Sequence, residues 1–430
     1  MHKTSPEKLN ALLLTIQLNM EGNKSYSYER IAAEMEGLAY TLGFNKKAAL
    51  FIKLGKVNSA TFIGKGKIEQ IKNIVLENDI DVILLNHDIS PSQHKNLEKY
   101  IDRKVMEWSE IILDIFAGRA KTKAAKTQVE IARLLYALPR LTRAWTHLER
   151  QRGGIGLRGI GEQQLELDRR MIRKRLKNLN DQLKIIRMGQ QTRASSRKDV
   201  FRVSIVGYTN AGKSTLLKAL TGCDTLIEDR LFATLDSKIR SLKVKERPRV
   251  LVSDTVGFIR NLPHSLIESF HTTLEEVSDS DLLLHVIDVN DEDYENQFKE
   301  TLKVLKEINS ASKPIIYVLN KSDLLSQKHF IESLKKKHHP ACEISALKAR
   351  GIDELKDMIF NQYLGTLDSY KIKIDLKNAW ISNKVRSITT IIEEIYDDKH
   401  LVIKFKAPKV QALSMIKNFQ DQGFLLNSKD

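Results

Sequence analysis

Cysteine is almost missing from this chain. Two occur in 430 residues, Cys223 and Cys342, and neither sits in a Cys-x-x-Cys pair or a Cys/His cluster. That argues against disulfides and structural zinc and for a reducing compartment, with each cysteine a small core or surface residue. Long apolar runs are missing too. The longest, such as Asp281-Leu282-Leu283-Leu284-His285-Val286-Ile287, are far too short to span a bilayer. The opening Met-His-Lys-Thr-Ser-Pro leads into no long apolar run, so a signal peptide is not expected. Internal repeats and lipidation signals are not seen.

What is present in excess is positive charge. Lys+Arg number 70 against 54 Asp+Glu, a formal net charge of +16. Such an excess implies an anionic partner, nucleic acid or an anionic membrane surface. The excess is concentrated: residues 140–198 carry 16 Lys+Arg and 5 Asp+Glu, a net of +11 in 59 residues. The length suggests two to four domains with ample material for buried cores.

Four regions follow from the patterning. Residues 1–120 alternate helix and strand signals and read as a small α/β domain. A periodic helix covers Tyr28 to Leu42, Asp81–Asn86 is a buried-strand run, and Ser90-Pro91 opens another helix with proline at its first position. Residues 121–199 lose strand signals. One helix runs through Gln128–Leu135, where Pro139 is expected to kink or interrupt it. A glycine-rich stretch, 153–161, precedes a second helix whose apolar positions Leu165, Ile172, Leu176, Leu179, Leu183 and Ile186 form a heptad seam. The pair implies an antiparallel helical hairpin with the glycines in a loop at its tip and a polar linker over 189–199. Residues 200–365 alternate strand and helix in the α/β manner, with Lys238–Val244 and Arg249–Ser253 pairing antiparallel in an otherwise parallel sheet. Residues 366–430 read as a small α+β tail with a hairpin turning at Asp397-Asp398 and a last helix after Pro408.

The third region carries chemistry. Gly207-Tyr208-Thr209-Asn210-Ala211-Gly212-Lys213-Ser214, with Thr215 next, fits the phosphate-loop pattern. Between a strand end and a helix N-terminus, its backbone N–H groups converge on phosphates. Lys213 is expected to reach the β- and γ-phosphates and Ser214 to place its hydroxyl on Mg²⁺. Asp254-Thr255-Val256-Gly257 follows, with Asp254 holding Mg²⁺ through a water and Gly257 donating its N–H to the γ-phosphate. Thr234, in Leu231-Phe232-Ala233-Thr234-Leu235, is positioned to complete the Mg²⁺ shell. Lys213, Thr234 and Gly257 are the candidate catalytic groups. Asn320-Lys321-Ser322-Asp323 and Ser345-Ala346-Leu347 complete the set. The Asp323 carboxylate accepts guanine N1–H and N2–H, which adenine does not offer, and the Ala346 N–H suits guanine O6. Four such motifs in this order imply binding and hydrolysis of GTP. Phe258 follows Gly257 where many related GTPases carry a water-orienting glutamine. Slow hydrolysis by the isolated chain is therefore expected, with a backbone group, a partner or another side chain completing the site. Gly64-Lys65-Gly66-Lys67 lacks the phosphate-loop pattern and reads as a turn opening a helix over Ile68–Leu76.

In the hairpin, Arg169, Arg170, Arg173, Lys174 and Arg175 surround a seam residue, and Arg150, Arg152 and Arg158 flank or occupy the glycine stretch. Arginines bind phosphates bidentately and stack on bases, and the loop lacks a bulky apolar anchor, so RNA is favoured over membrane.

The phosphate loop, the Leu231–Asp236 segment, the block Asp254-Thr255-Val256-Gly257-Phe258-Ile259-Arg260-Asn261-Leu262-Pro263-His264, the Gly153–Arg170 stretch and Gly64–Lys67 together resemble the HflX GTPases. The likeness covers about residues 20–365. Met106-Glu107-Trp108 stands where the family more commonly has Asp-Arg-Thr. The resemblance implies a P-loop GTPase domain (mostly parallel sheet) with an N-terminal α/β domain, a helical hairpin and a small C-terminal α+β domain. It implies a ribosome-associated GTPase of the cytoplasm or of a peripheral membrane fraction, monomeric off the ribosome. Its partner is the large ribosomal subunit and its rRNA, its ligands are GTP/GDP and Mg²⁺, and its task is to split or rescue stalled ribosomes. A ribosome-assembly GTPase and an RNA-binding module using GTP only as a structural ligand are the alternatives.

Overall fold

The computed structural model describes residues 8–18, 28–141, 158–195, 200–222, 231–232, 238–242, 250–255, 257–260, 276–325, 328–378, 380–397 and 399–421, with side-chain surroundings in the longest helix given for 166–189. It confirms the expected class, a parallel-sheet P-loop domain accompanied by an N-terminal α/β unit, helices and a small C-terminal α+β unit.

The N-terminal part runs β1 (Asn10–Leu18), α1 (Tyr28–Leu42), β2 (Asn45–Leu54), α2 (Lys65–Glu77), β3 (Val82–Leu85), α3 (Pro91–Ile101), β4 (Lys104–Met106) and α4 (Trp108–Arg119). Its sheet is parallel, in the order β2-β1-β3-β4. Period-two alternation sends Leu12, Leu14 and Ile16 into a core with α2 and α3, while Ala11 and Leu13 face α1 and α4. Helix α3 starts as expected at Pro91, where the Ser90 hydroxyl accepts from the Gln93 N–H and the Gln93 side chain accepts from the Ser90 N–H. Strands β1, β2 and β4 add to the reading of the sequence, which picks out only β3.

Two helices follow, α5 (Lys123–Leu141) and α6 (Arg158–Ser195). The seam is real: Leu176, Leu179 and Leu183 are buried against Ile131, with Ile172 and Leu134 beside them. Three expectations need correction. Pro139 does not interrupt helix α5, which continues through it to Leu141, the last described residue there. The glycine stretch is not all loop: α6 begins at Arg158, so Gly159 and Gly161 are helical, and residues 153–157 lie outside the described ones. Glycine's helix penalty is only about 1 kcal/mol each, which a 38-residue helix tolerates. Nor is 189–199 a linker throughout, since α6 continues to Ser195. The Glu107 that departs from the family pattern is fully buried and pairs with Arg140, tying the start of α4 to the end of α5.

The next region holds β5 (Phe201–Gly207), α7 (Lys213–Thr221), β6 (Lys238–Leu242), β7 (Val250–Asp254), β8 (Leu282–Asp288), α8 (Tyr294–Glu307), β9 (Ile315–Asn320), α9 (Lys328–Lys337), β10 (Ala341–Glu343) and α10 (Ile352–Gly365). The sheet order is β10-β9-β8-β5-β7-β6, with β6 antiparallel to β7 and the rest parallel, as expected. The carboxyl ends of β5, β7 and β9 therefore lie along one edge, where ligands of open α/β sheets bind. The C-terminal part is β11 (Asp368–Asp375), α11 (Trp380–Ile388), β12 (Thr390–Tyr396), β13 (His400–Ala407) and α12 (Lys409–Asp421), an antiparallel sheet ordered β11-β13-β12 with helices on one face. No described helix is long and apolar enough to cross a membrane.

One apolar cluster joins the first and third parts. Tyr208, Phe232 and Ile259 are buried in the same core as Met35 and Leu38 of α1 and Phe116 of α4. Phe232 meets Phe116 edge-on with ring centroids 4.8 Å apart. Burying a phenylalanine contributes roughly 1.5–3 kcal/mol, so these contacts hold the two parts together.

Candidate nucleotide site

Strand β5 ends at Gly207 and α7 begins at Lys213, so the intervening loop faces the helix N-terminus. Asn210 and Gly212 both have positive φ, 60° and 94°. Such a turn points successive N–H groups inward and makes an anion-binding concavity. Gly212 is required twice over: besides its φ, a Cβ there would lie 2.3 Å from Asn320 Nδ2. Ala211 is buried beneath the loop. Lys213 is buried, and its ammonium donates to the carbonyls of Gly207 at 3.1 Å and Tyr208 at 2.7 Å. Burial pushes its pKa down to about 8, against the pull of Asp254. Ser214 Oγ donates to Asp254 Oδ2 at 2.6 Å, and Asp254 is the last residue of β7 and fully buried. Thr215 follows in the first turn of α7.

The segment after β7 lies against the phosphate loop. Thr255 Oγ1 donates to the Ile205 carbonyl at 2.7 Å. The Phe258 N–H donates to the Gly207 carbonyl at 3.1 Å, and the Thr209 N–H donates to the Phe258 carbonyl at 2.8 Å. These bonds bring Gly257 so close that a Cβ on it would meet Thr209 Cγ2 at 2.8 Å and Lys213 Nζ at 3.0 Å. The Phe258 ring points away, buried among Val206, Leu283, Val304 and Leu305. It cannot orient a water.

A polar network crosses from the N-terminal part to this loop. Tyr208 Oη donates to Glu34 Oε1 of α1 at 2.6 Å and accepts from the Arg260 N–H at 3.1 Å. The Arg260 guanidinium forms a two-point ion pair with Glu34. Arg30 of α1 pairs with Asp291. Burial raises the Glu34 carboxyl above its ordinary range, opposed by Arg260. The Glu34 and Arg260 side chains are each only 10% exposed, so removing one takes the opposite charge away from a group that stays buried. Glu34→Ala is expected to lower the unfolding free energy by about 3 kcal/mol, read as a shift in denaturant midpoint. An unshifted midpoint would show that the pair holds nothing together.

The base side is stitched by Asn320 at the end of β9. Its Nδ2 donates to the Ala211 carbonyl at 2.8 Å, and its Oδ1 accepts from the Ala346 N–H at 3.0 Å. One side chain thus ties the phosphate loop to the Ser345–Leu347 turn. The Ala346 N–H, expected to be offered to guanine O6, is held by Asn320 in this structure. Lys321 adopts positive φ, 63°, and pairs with Asp288 Oδ2 at 2.7 Å. Ser322 opens a single 3₁₀ turn and is buried. The Ser345 hydroxyl, and after it Lys348 at 3.3 Å, hold the Asp323 carboxyl below its usual range, against burial. Leu347 is exposed.

The structure thus brings residues 207–215, Asp254, Thr255, Gly257, Asn320–Asp323 and Ser345–Leu347 to one edge of the sheet. Leu231 and Phe232 lie under α1 and α4. Ala233, Thr234, Leu235, Val256, Arg150 and Arg152 are outside the described residues, as is the Arg158 side chain. On α6, Arg170, Arg173 and Lys174 are exposed and Arg169 half-buried, whereas Arg175 binds Glu130 at 2.7 Å. Sequence reasoning missed Glu34 and the side-chain role of Arg260. Glu34 has no local signal, since its partners are 174 and 226 positions away.

Comparison with known proteins fits this arrangement. Three family models match: "GTP-binding GTPase N-terminal" over residues 29–117, "GTP-binding GTPase Middle Region" over 119–197 and "50S ribosome-binding GTPase" over 202–321. The GTPase HflX of Flavobacterium psychrophilum is 49% identical over 290 residues, 67% of this chain and 70% of that one. That of Escherichia coli is 38% identical over 353 residues, 81% of this chain and 83% of that one. A crystal structure of a GTP-binding protein from Sulfolobus solfataricus in complex with GDP is 24% identical, with a TM-score of 0.45 over 83% of this chain and 98% of that one. The GTPase HflX of Caldanaerobacter subterraneus is 39% identical over 406 residues, 94% of this chain and 92% of that one. A match of that extent, together with a phosphate loop and Asn-Lys-x-Asp turn at one sheet edge, makes this chain a member of the HflX family of GTPases.

Proposed function

We propose that this GTPase docks on the large ribosomal subunit when loaded with GTP, separates or rescues stalled ribosomes, and leaves after hydrolysis. Lys213 contacts the β- and γ-phosphates, Gly257 reports the γ-phosphate, and Asp323 reads the guanine edge. Ser214 Oγ and the Asp254 carboxylate, 2.6 Å apart and both hard oxygen donors, suit Mg²⁺. Ser214 would hold the ion directly, Asp254 through a water, with Thr234 completing the shell. When bound, Mg²⁺ neutralises charge developing on the phosphates.

The observation that carries this reading is the shared core. The basic α6 packs on α5, α5 is tied to α4 through Arg140 and Glu107, and α4 with α1 buries Phe232 and Ile259. Those two residues flank the segments expected to sense the γ-phosphate. A change there is transmitted through packed side chains to the arm that carries the cationic face. Phe258, retracted into the core, offers the water no polar group of its own, so hydrolysis is slow alone and large subunits accelerate it. Help in trans is worth roughly 10³–10⁵ in rate for GTPases.

Turnover measured with and without purified large subunits tests the reading, and an unchanged rate would count against it. Sedimentation of intact ribosomes with this chain and GTP should show separated subunits. Replacing Arg169, Arg170, Arg173 and Lys174 by alanine should weaken subunit binding and flatten its salt dependence. The log–log slope should fall by about 0.7–0.9 for every phosphate no longer neutralised. Pelleting with a GTP analogue over a KCl series reads this. Equal slopes would remove the arm from the interface.

A further inference from the structure

We infer that the hydroxyl of Thr209 is a catalytic group for GTP hydrolysis, aligning the attacking water against the γ-phosphate in place of the side chain that Phe258 withdraws. The inference rests on the proposed nucleotide assignment of this loop. Four observations converge on it. Thr209 is 6% exposed, and its Oγ1 has no hydrogen-bond partner among the described residues. A buried hydroxyl normally has one, so an orphan beside a reaction centre calls for an explanation. A Cβ built on Gly257 would meet the Thr209 methyl at 2.8 Å and Lys213 Nζ at 3.0 Å, so all three residues crowd one spot. The residue therefore stands beside both the group expected to bind the γ-phosphate and the group expected to sense it. Thr209 also lines a cavity of about 250 Å³ between α1 and the loop, with Asn210, Tyr208 and Arg260, large enough for water. Finally, Phe258 is 2% exposed and turned into the core, so the usual position for a water-orienting amide carries no polar atom.

A hydroxyl both donates and accepts. Thr209 Oγ1 donates to a γ-phosphate oxygen and accepts from the water, holding that water in line with the bond to be broken. The water oxygen–phosphorus bond forms as the bond from phosphorus to the β–γ bridging oxygen breaks. GDP leaves with that electron pair, and both water protons remain with the released phosphate. Thr209 ends with the proton it began with. Its part is orientation at the reacting atoms.

The test uses the full chain with three substitutions, Thr209→Val, Thr209→Ser and Thr209→Ala. Single-turnover hydrolysis of GTP is measured beside affinities for GDP and for a non-hydrolysable GTP analogue. Thr209→Val, isosteric but without the hydroxyl, should hydrolyse about 10–100-fold more slowly. It should keep GDP affinity within about twofold and lose several-fold in preference for the analogue over GDP. Thr209→Ser should stay within about threefold of the native rate. If Thr209→Val fails to bind GDP, Thr209→Ala takes its place in the same comparison. A native rate in the hydroxyl-free variant overturns the inference, and so does a serine variant as slow as the valine one, since the methyl would then be what matters. Failure of the loop assignment itself looks different: Lys213→Ala would then keep its GDP affinity.

Discussion

Lys213→Ala is expected to abolish measurable GTP and GDP binding while leaving the fold intact. The ammonium is buried and donates to two loop carbonyls, in the cradle formed by Asn210 and Gly212. Phosphate oxygens offer it charge-assisted bonds of about 1.5–3 kcal/mol each. Losing two such bonds corresponds to roughly 10²–10⁴ in affinity. Stability responds in the opposite direction. The folded pKa is pushed from 10.5 down to about 8, so between those values the unfolded chain binds more protons than the folded one. Stability of the nucleotide-free protein therefore rises with pH across that window, by on the order of 3 kcal/mol for this group. Other groups titrate there as well, so the informative quantity is the difference between native protein and Lys213→Ala in denaturant midpoints from pH 7.5 to 10.5. Normal GTP affinity in the variant would remove Lys213 from the site. A pH dependence identical to native would mean that its ammonium is not held in a desolvated position.

Asp323→Asn should exchange guanine for xanthine. The side chain is 8% exposed, and the Ser345 hydroxyl and Lys348 hold it ionised. An ionised carboxylate accepts from guanine N1–H and N2–H together. An amide has one acceptor and presents a donor toward the exocyclic amine, whereas xanthine carries an oxygen there and matches it. Sites that lose a designed polar match discriminate by as much as 10⁴–10⁵. A loss of GTP affinity of about 10²–10⁴ is therefore expected, together with gained XTP affinity, read by competition against a labelled diphosphate. The loop is expected to survive, because Asn320 rather than Asp323 ties Ala211 to Ala346. Unchanged guanine preference would contradict the contact. Loss of both nucleotides would point instead to a collapsed turn.

The nucleotide motifs were legible because each is a local device. A turn needing positive φ at Gly212, a lysine opening a helix and an aspartate closing a strand are specified by neighbours in sequence. The seam of α6 was legible for the same reason, since Leu176, Leu179 and Leu183 recur at helical spacing. Helix ends were less so. Gly159 and Gly161 look like loop residues, yet they are helical, because local propensity of about 1 kcal/mol is overridden within a long helix. Pro139 misled similarly, lying two residues before the described end of α5.

By itself the sequence determined the alternation of strands and helices, the chemistry offered at the edge of the large sheet, and where the positive charge accumulates. Tertiary structure alone decided who meets whom. Glu34 reaches Arg260 across 226 positions, and Phe232 enters a core built by α1 and α4. It also decided that Phe258 turns inward and that Thr209 packs against Gly257. Local patterns encode periodicity and turn geometry. Long-range pairing depends on how whole surfaces fit, and a linear pattern carries no record of that.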